Sequence, residues 1–148
     1  FVKNQVAKEM VLQLFFKGTP VAYFERKCTL FVKERVPSLV KSSASKALQA
    51  HLDEGATVVV VSASPEHWVG IWCKTIGVQC IATQLEVTES NLVTGKIRGR
   101  NCYGPEKVNR IMKLFDISQY EITAYGDSSG DSQMLEIAKH AYYRKFTD

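Results

Sequence analysis

Two aspartates four residues apart on a glycine-rich turn are the side chains of this sequence best suited to chemistry. Gly126-Asp127-Ser128-Ser129-Gly130-Asp131 follows the run Glu121-Ile122-Thr123-Ala124-Tyr125, which reads as a short strand. It precedes Met134-Leu135 and Ile137-Ala138, which read as a helix. Carboxylates at the exit of such a strand face the crevice where open α/β sheets hold their ligands. Two hard oxygen donors there suit Mg²⁺, which takes one or two carboxylates and keeps its other positions for water and phosphate. The same residues also suit a structural task, Asp131 capping the helix and Asp127 making the turn.

Two further polar residues lie at ends of α/β units. Ser62 closes the run Thr57-Val58-Val59-Val60-Val61 just before a helix, so its hydroxyl and the following backbone N–H groups, Ala63 first, form an anion site or simply a turn. Lys107 falls in the first turn of a helix that Gly104-Pro105 opens, where the dipole disfavours a cation. Its place four residues before Ile111 sets it near the inward face. Such a lysine calls for an anion nearby, unless the adjacent Glu106 answers it.

The elements that must position these groups follow from periodicity. Val2, Val6, Met10, Leu14 and Phe15 recur at helical spacing, Gly18-Thr19-Pro20 breaks the pattern, and Val21, Phe24, Cys28, Phe31 and Val32 resume it as far as Pro37. A third helix runs through Ala44, Ala47, Leu48 and Leu52 to Gly55. Strands and helices then alternate. The valine run predicts a parallel strand covered on both faces, and Ser64-Pro65 a helix start with Ser64 as its cap. A strand is expected around Val78 to Ala82, then a hairpin of Leu85 and Val87 against Val93 and Ile97 with its turn at Ser90-Asn91. In the helix after Gly104, Val108, Ile111, Met112 and Phe115 should face inward.

Composition bounds the rest. A chain of 148 residues with 45% hydrophobic content makes one domain with a core, and no apolar run reaches the roughly 20 residues of a membrane span. Cys28, Cys73, Cys80 and Cys102 show no Cys-x-x-Cys pair and read as reduced thiols in a cytoplasmic protein. Seven of the 19 basic residues but three of the 15 acidic ones fall in residues 1–36. That excess could steer an anion, though the solvated face of amphipathic helices is the favoured reading. Gly-x-Gly-x-x-Gly and the phosphate-loop lysine motif are absent, which argues against a nucleotide- or nucleic-acid-binding domain.

Val60-Val61-Ser62-Ala63-Ser64-Pro65, Asn101-Cys102-Tyr103-Gly104-Pro105-Glu106-Lys107 and Tyr125-Gly126-Asp127-Ser128 with Asp131 occur in that order. Together they make the chain resemble a haloacid dehalogenase superfamily hydrolase, in the phosphoserine phosphatase-like branch (subfamily IB). The resemblance implies an α/β fold whose three-layer core holds a Rossmann-like parallel sheet, with a helical cap. Residues 1–36 would be part of the cap and 37–148 the C-terminal portion of the core. It further implies a Mg²⁺-dependent phosphatase acting on a small phosphorylated metabolite through an aspartyl-phosphate, with neither nucleic acid nor membrane as partner. Catalytic roles would fall to Ser62, Lys107 and Asp131, phosphate binding to Ser62, Ala63 and Lys107, and metal binding to Asp127 and Asp131, the latter as a ligand or as holder of the coordinated water.

One part of the family pattern is missing. The nucleophile lies in Asp-x-Asp-x-Thr or Asp-x-Asp-x-Val on a central strand, yet no two of Asp53, Asp116, Asp127, Asp131 and Asp148 are separated by one residue. The expectation is that this chain is the C-terminal part of a longer protein. Its N-terminal segment would supply the nucleophile and the strand between those ending at Ser62 and Tyr125, and the chain alone would be inactive. The alternative is a non-catalytic binding or interaction module that keeps the anion pocket. Arg98 and Arg100 could approach an acidic substrate, although the wet side of the hairpin is their expected place.

Overall fold

In a computed structural model, residues 2–148 are described; Phe1 and the side chains of Val2 and Lys3, with which the first helical pattern opens, lie outside that description. Helix α1 spans Val2–Phe16 and α2 Val21–Glu34. The link between them is held against the later hairpin, Gly18 N–H donating to Val93 O (2.8 Å) and Val93 N–H to Thr19 O (2.8 Å). Pro37, expected as a stop, instead sits in the first turn of the short helix α3, Val36–Leu39, where its missing N–H costs nothing. Helix α4 follows at Ser42–Asp53 and ends before Gly55, as the pattern predicts.

Strand β1 (Val59–Pro65), helix α5 (Glu66–Thr75) and strand β2 (Gln79–Thr83) form a parallel βαβ unit, Val61 lying opposite Ile81. The strand runs on to Pro65, so Ser64 is part of β1 and makes no side-chain cap. The valines of β1 are half-buried, not fully covered, because the edge away from β2 carries no strand. Strands β3 (Leu85–Val87) and β4 (Val93–Ile97) make the expected antiparallel hairpin, with Val93 and Ile97 buried and Lys96 exposed. Helix α6 (Pro105–Leu114) buries Lys107 but leaves Met112 outside, contrary to its expected inward position.

Strand β5 (Thr123–Gly126) leads through a 3-10 turn, Ser129–Asp131, into α7 (Ser132–Glu136), which stops short of Ile137 and Ala138. A sixth strand that periodicity had not indicated, β6 (His140–Tyr143), pairs parallel with β5. Its four residues are too few and too exposed to show an alternating pattern.

The expected parallel architecture is present, in two pairs. Among the described residues β1 pairs with β2 and β5 with β6, and no ladder joins β1 to β5. Gln79 N–H donates to Val58 O, so alternation turns the peptide groups of Val59 and Val61 away from β2. Likewise His140 N–H donates to Ile122 O and Arg144 N–H to Gly126 O, which turns Thr123 and Tyr125 away from β6. β1 and β5 therefore each offer an unladdered edge.

A buried apolar cluster lies where α1 and α2 meet the hairpin. Leu12, Phe24, Cys28, Leu85, Val93 and Ile97 pack together, with Phe16 and Trp68 against them. Helix α1 contributes to this cluster in an unexpected way. Leu12 is 5% exposed, whereas Met10, Leu14 and Phe15, part of the expected apolar stripe, are 67%, 79% and 68% exposed. The inward side is filled mainly by Gln5, Lys8, Glu9 and Gln13, all partly buried. Gly95 lets α1 approach, since a Cβ there would lie 2.5 Å from the Cα of Gln13.

Candidate active site

The acidic turn is built by Asp131 folding back on the residues before it. Its Oδ2 accepts hydrogen bonds from Asp127 N–H (3.1 Å), Ser128 N–H (3.0 Å) and Ser128 Oγ–H (2.9 Å). The turn passes so close that a Cβ on Gly126 would meet the Cβ of Asp131 at 2.5 Å, which excludes any side chain there. Capping is thus part of what Asp131 does, but it closes the turn behind it and does not cap α7.

The remaining oxygen of Asp131 receives Lys107. Lys107 Nζ lies 2.5 Å from Asp131 Oδ1, and the two side chains are 8% and 7% exposed. Burial opposes ionisation of Asp131, yet the hydrogen bond and charge of Lys107, with those from Ser128, outweigh it and hold the carboxyl below its ordinary range. Lys107 Nζ also donates to Val61 O at 2.9 Å, on the β1 edge that no strand covers. One ammonium therefore joins the end of β1 to the turn after β5. Glu106, the other candidate partner, turns instead to Arg110 Nε at 2.9 Å. The position in the first helical turn is tolerated because an ion pair replaces the missing dipole complement.

Ser62 lies one residue beyond Val61. Its Oγ accepts the N–H of Ser64 at 3.1 Å, which leaves the hydroxyl proton available to another acceptor. Ser62, Ala63, Lys107 and Asp131 thus come together at adjacent strand ends. Asp127 differs from Asp131 in that its carboxylate is exposed and makes no hydrogen bond or ion pair among the described residues. Its backbone alone is engaged, the N–H by Asp131 Oδ2 and the oxygen by Arg144 Nε at 3.2 Å.

Those environments decide how a cation would be held. A divalent ion needs oxygen atoms not already committed. Asp127 offers two, while both oxygens of Asp131 are occupied by the turn and Lys107. The donor set therefore fits Mg²⁺ with Asp127 as direct ligand and Asp131 as the group that orients the turn. Among the described residues no cluster of three or more His, Cys, Asp or Glu could hold a metal unaided.

Helix α1 enters this region with polar side chains that periodicity had assigned to a solvated face. Gln5 accepts from Asn101 N–H (3.1 Å), and Glu9 from Ile97 N–H (2.9 Å). Lys8 Nζ donates to Ala63 O and to Asn101 Oδ1 (2.9 Å), and Asn101 Oδ1 also accepts from Thr83 Oγ1 (2.9 Å). No signal in the sequence singles out Lys8, because its partners are 55 and 93 positions away. Arg100 is exposed; its backbone oxygen accepts from Arg110, and the guanidinium of Arg98 bonds Gln84 on the hairpin (2.8 Å). A groove of about 660 Å³ lies elsewhere, among Val32, Pro37, Leu48, Trp72 and Ile76, and holds none of these groups.

Three motifs thus meet at one ammonium. The family model of the haloacid dehalogenase-like hydrolases matches residues 2–136. The chain belongs to this family. Protein CicA of Caulobacter vibrioides is 34% identical over 140 residues, covering 94% of this chain and 63% of that protein. A probable phosphatase of Mycobacterium tuberculosis is 36% identical over 110 residues, 72% of this chain and 38% of that one. The chain thus spans less than two thirds of the curated relatives it matches. Among solved structures, a phospho-aspartyl intermediate analogue of phosphoserine phosphatase superposes with a TM-score of 0.66 at 19% identity, over 90% of this chain and 62% of the other. That likeness is one of fold.

Proposed function

We propose that the complete protein is a Mg²⁺-dependent phosphatase acting on a small phosphorylated metabolite, and that this chain carries the serine, lysine and acidic-turn part of its site. The observation that carries this reading is the double contact of Lys107, on Val61 O and on Asp131 Oδ1. It sets an ammonium, the Ser62 hydroxyl and the Ala63 N–H where phosphoryl oxygens could be bound, as charge stabilisation in phosphoryl transfer requires. A nucleophilic aspartate would come from a segment outside this chain, on a strand laid between the open edges of β1 and β5. Its carboxylate would attack phosphorus as the ester oxygen departs, and water would then hydrolyse the aspartyl-phosphate.

In this reading each residue has a separate task. Ser62 donates its hydroxyl proton, and Ala63 its N–H, to phosphoryl oxygens. Lys107 neutralises phosphoryl charge with its remaining N–H while its other two hold the strand end and the turn. Asp131 pairs with Lys107 and fixes the loop that presents Asp127. Asp127 would hold Mg²⁺, which when bound supplies further positive charge to the phosphoryl group.

The test is phosphate release from a panel of phosphomonoesters by the complete gene product. Release that disappears on chelation and returns with Mg²⁺ supports the proposal. No release from any ester, by a folded protein containing the nucleophile motif, would leave the non-catalytic binding module as the better account.

A further inference from the structure

Asp127 stands between two peptide groups, and the N–H and the carbonyl of each are hydrogen-bonded. The N–H groups of Asp127 and Ser128 both donate to Asp131 Oδ2, at 3.1 and 3.0 Å. Both carbonyls are taken by the residue that follows β6. Arg144 N–H donates to Gly126 O at 2.8 Å, and Arg144 Nε to Asp127 O at 3.2 Å. The φ and ψ of a residue are the rotations of its two flanking peptide planes. The backbone of Asp127 is therefore held by Asp131 through the N–H groups and by Arg144 through the carbonyls.

Arg144 takes up this place at a cost. Its φ is 51°, in the left-handed region that a residue with a Cβ disfavours. Glycine would relieve that strain and could still offer its N–H to Gly126, but it would have nothing to give to Asp127 O. Backbone strain persists where the surroundings over-determine it, and it gathers at functional sites. The guanidinium carbon lies 5.1 Å from the centroid of the Tyr143 ring, a cation–π contact that orients the group. Tyr143 and Arg144 are both exposed, so burial in a core does not account for their arrangement.

We infer that Arg144 is a positioning residue, which aims the Asp127 carboxylate by fixing the backbone that carries it. The inference rests on the reading of Asp127 as the Mg²⁺ ligand and deepens it, giving the ligand a second support opposite Asp131. A partner that orients a metal ligand typically contributes about 10–100-fold to metal affinity.

Two substitutions in the complete gene product separate the hydrogen bond from the charge. In Arg144→Gln the amide nitrogen sits on Cδ, as Nε does, so the donor stays and the charge is lost; Arg144→Met has no donor. Mg²⁺ alone, titrated calorimetrically without substrate, should bind at least about tenfold more weakly to Arg144→Met and within about threefold of the wild type to Arg144→Gln. Amide hydrogen exchange should quicken at Asp127 and Ser128 in Arg144→Met, not in Arg144→Gln, and stay unchanged in β1 and β2. Wild-type Mg²⁺ affinity in Arg144→Met, or equal losses in the two variants, overturns the inference. So does equal loosening along the whole of β5 and β6, which would make Arg144 a support of the strand pair only. If Asp127→Asn binds Mg²⁺ as the wild type does, or the wild type binds none, the metal assignment fails by itself. Exchange then decides for Arg144: quickening confined to Asp127 and Ser128 that Arg144→Gln prevents upholds its hold on Asp127, and any other pattern overturns it.

Discussion

Asp131 takes three of its four hydrogen bonds from residues three or four positions away, while the polar side chains of α1 reach partners 55 to 96 positions off in the chain. The turn is a local device that needs Lys107 from elsewhere only to balance its charge. Helix α1 is the reverse, seated by polar groups on its inner side and bearing Met10, Leu14 and Phe15 outside. Proximity in sequence makes the first cheap to form, since little chain entropy is spent closing its contacts. The second depends on the hairpin and β1 being in place already.

That contrast can be broken most sharply at Lys107. Lys107→Met leaves a buried carboxylate without its partner, and such losses cost about 3–5 kcal/mol. A fall in melting temperature of about 10 °C, with phosphate release reduced at least ~100-fold, is expected from calorimetry and assay of the complete protein. A stable, fully active variant would mean that the turn does not rely on the ion pair.

Gly95→Ala attacks the other region. A Cβ there runs into the backbone of Gln13, and the residue also sits at a φ of 79° that glycine alone adopts readily. Destabilisation of roughly 1–3 kcal/mol is expected, accompanied by faster hydrogen exchange in α1 and little change at residues 123–131. Equal loosening of both regions would show that α1 and the turn form one cooperative unit.

Acid should act through Asp131. Its folded-state pKa is depressed, chiefly by Lys107 working against burial. The associated stability is therefore complete above the ordinary carboxylate value near ~4, and is lost as pH falls through the lower folded-state value. Urea titrations should show the gap between the wild type and Asp131→Asn narrowing from pH 6 to pH 3. A gap unchanged with pH would remove the ion pair from the account. The smallest effect is expected at Met10→Ser, within about 0.5 kcal/mol by the same titration, because this side chain is exposed. A larger loss would mean that the outer face of α1 is covered in the complete protein.

The same contrast explains how much was legible before the structure. Asp127, Asp131, Ser62 and Lys107 stand in short motifs beside strand and helix ends, where spacing carries the information. The βαβ unit, the hairpin and α4 likewise declared themselves by local periodicity. Lys8 could not, since only the docking of α1 on β4 brings it to Ala63. The apolar residues of α1 misled for a related reason: helical spacing reports one face but not which way it turns when polar side chains fill the other. Strand β6 was missed because four mostly exposed residues carry no alternation, and motif spacing does not say which aspartate oxygens are already bonded.

Asp127→Asn is the most direct test of the central claim, that one aspartate of the turn holds structure and the other is free to hold the metal. Mg²⁺-dependent phosphate release by this variant of the complete protein should fall at least ~1,000-fold, with a melting temperature within about 2 °C of the wild type, since no fold-holding bond is lost. Release within a few-fold of the wild type at the same Mg²⁺ concentration would contradict the assignment of Asp127, and with it the account of the site.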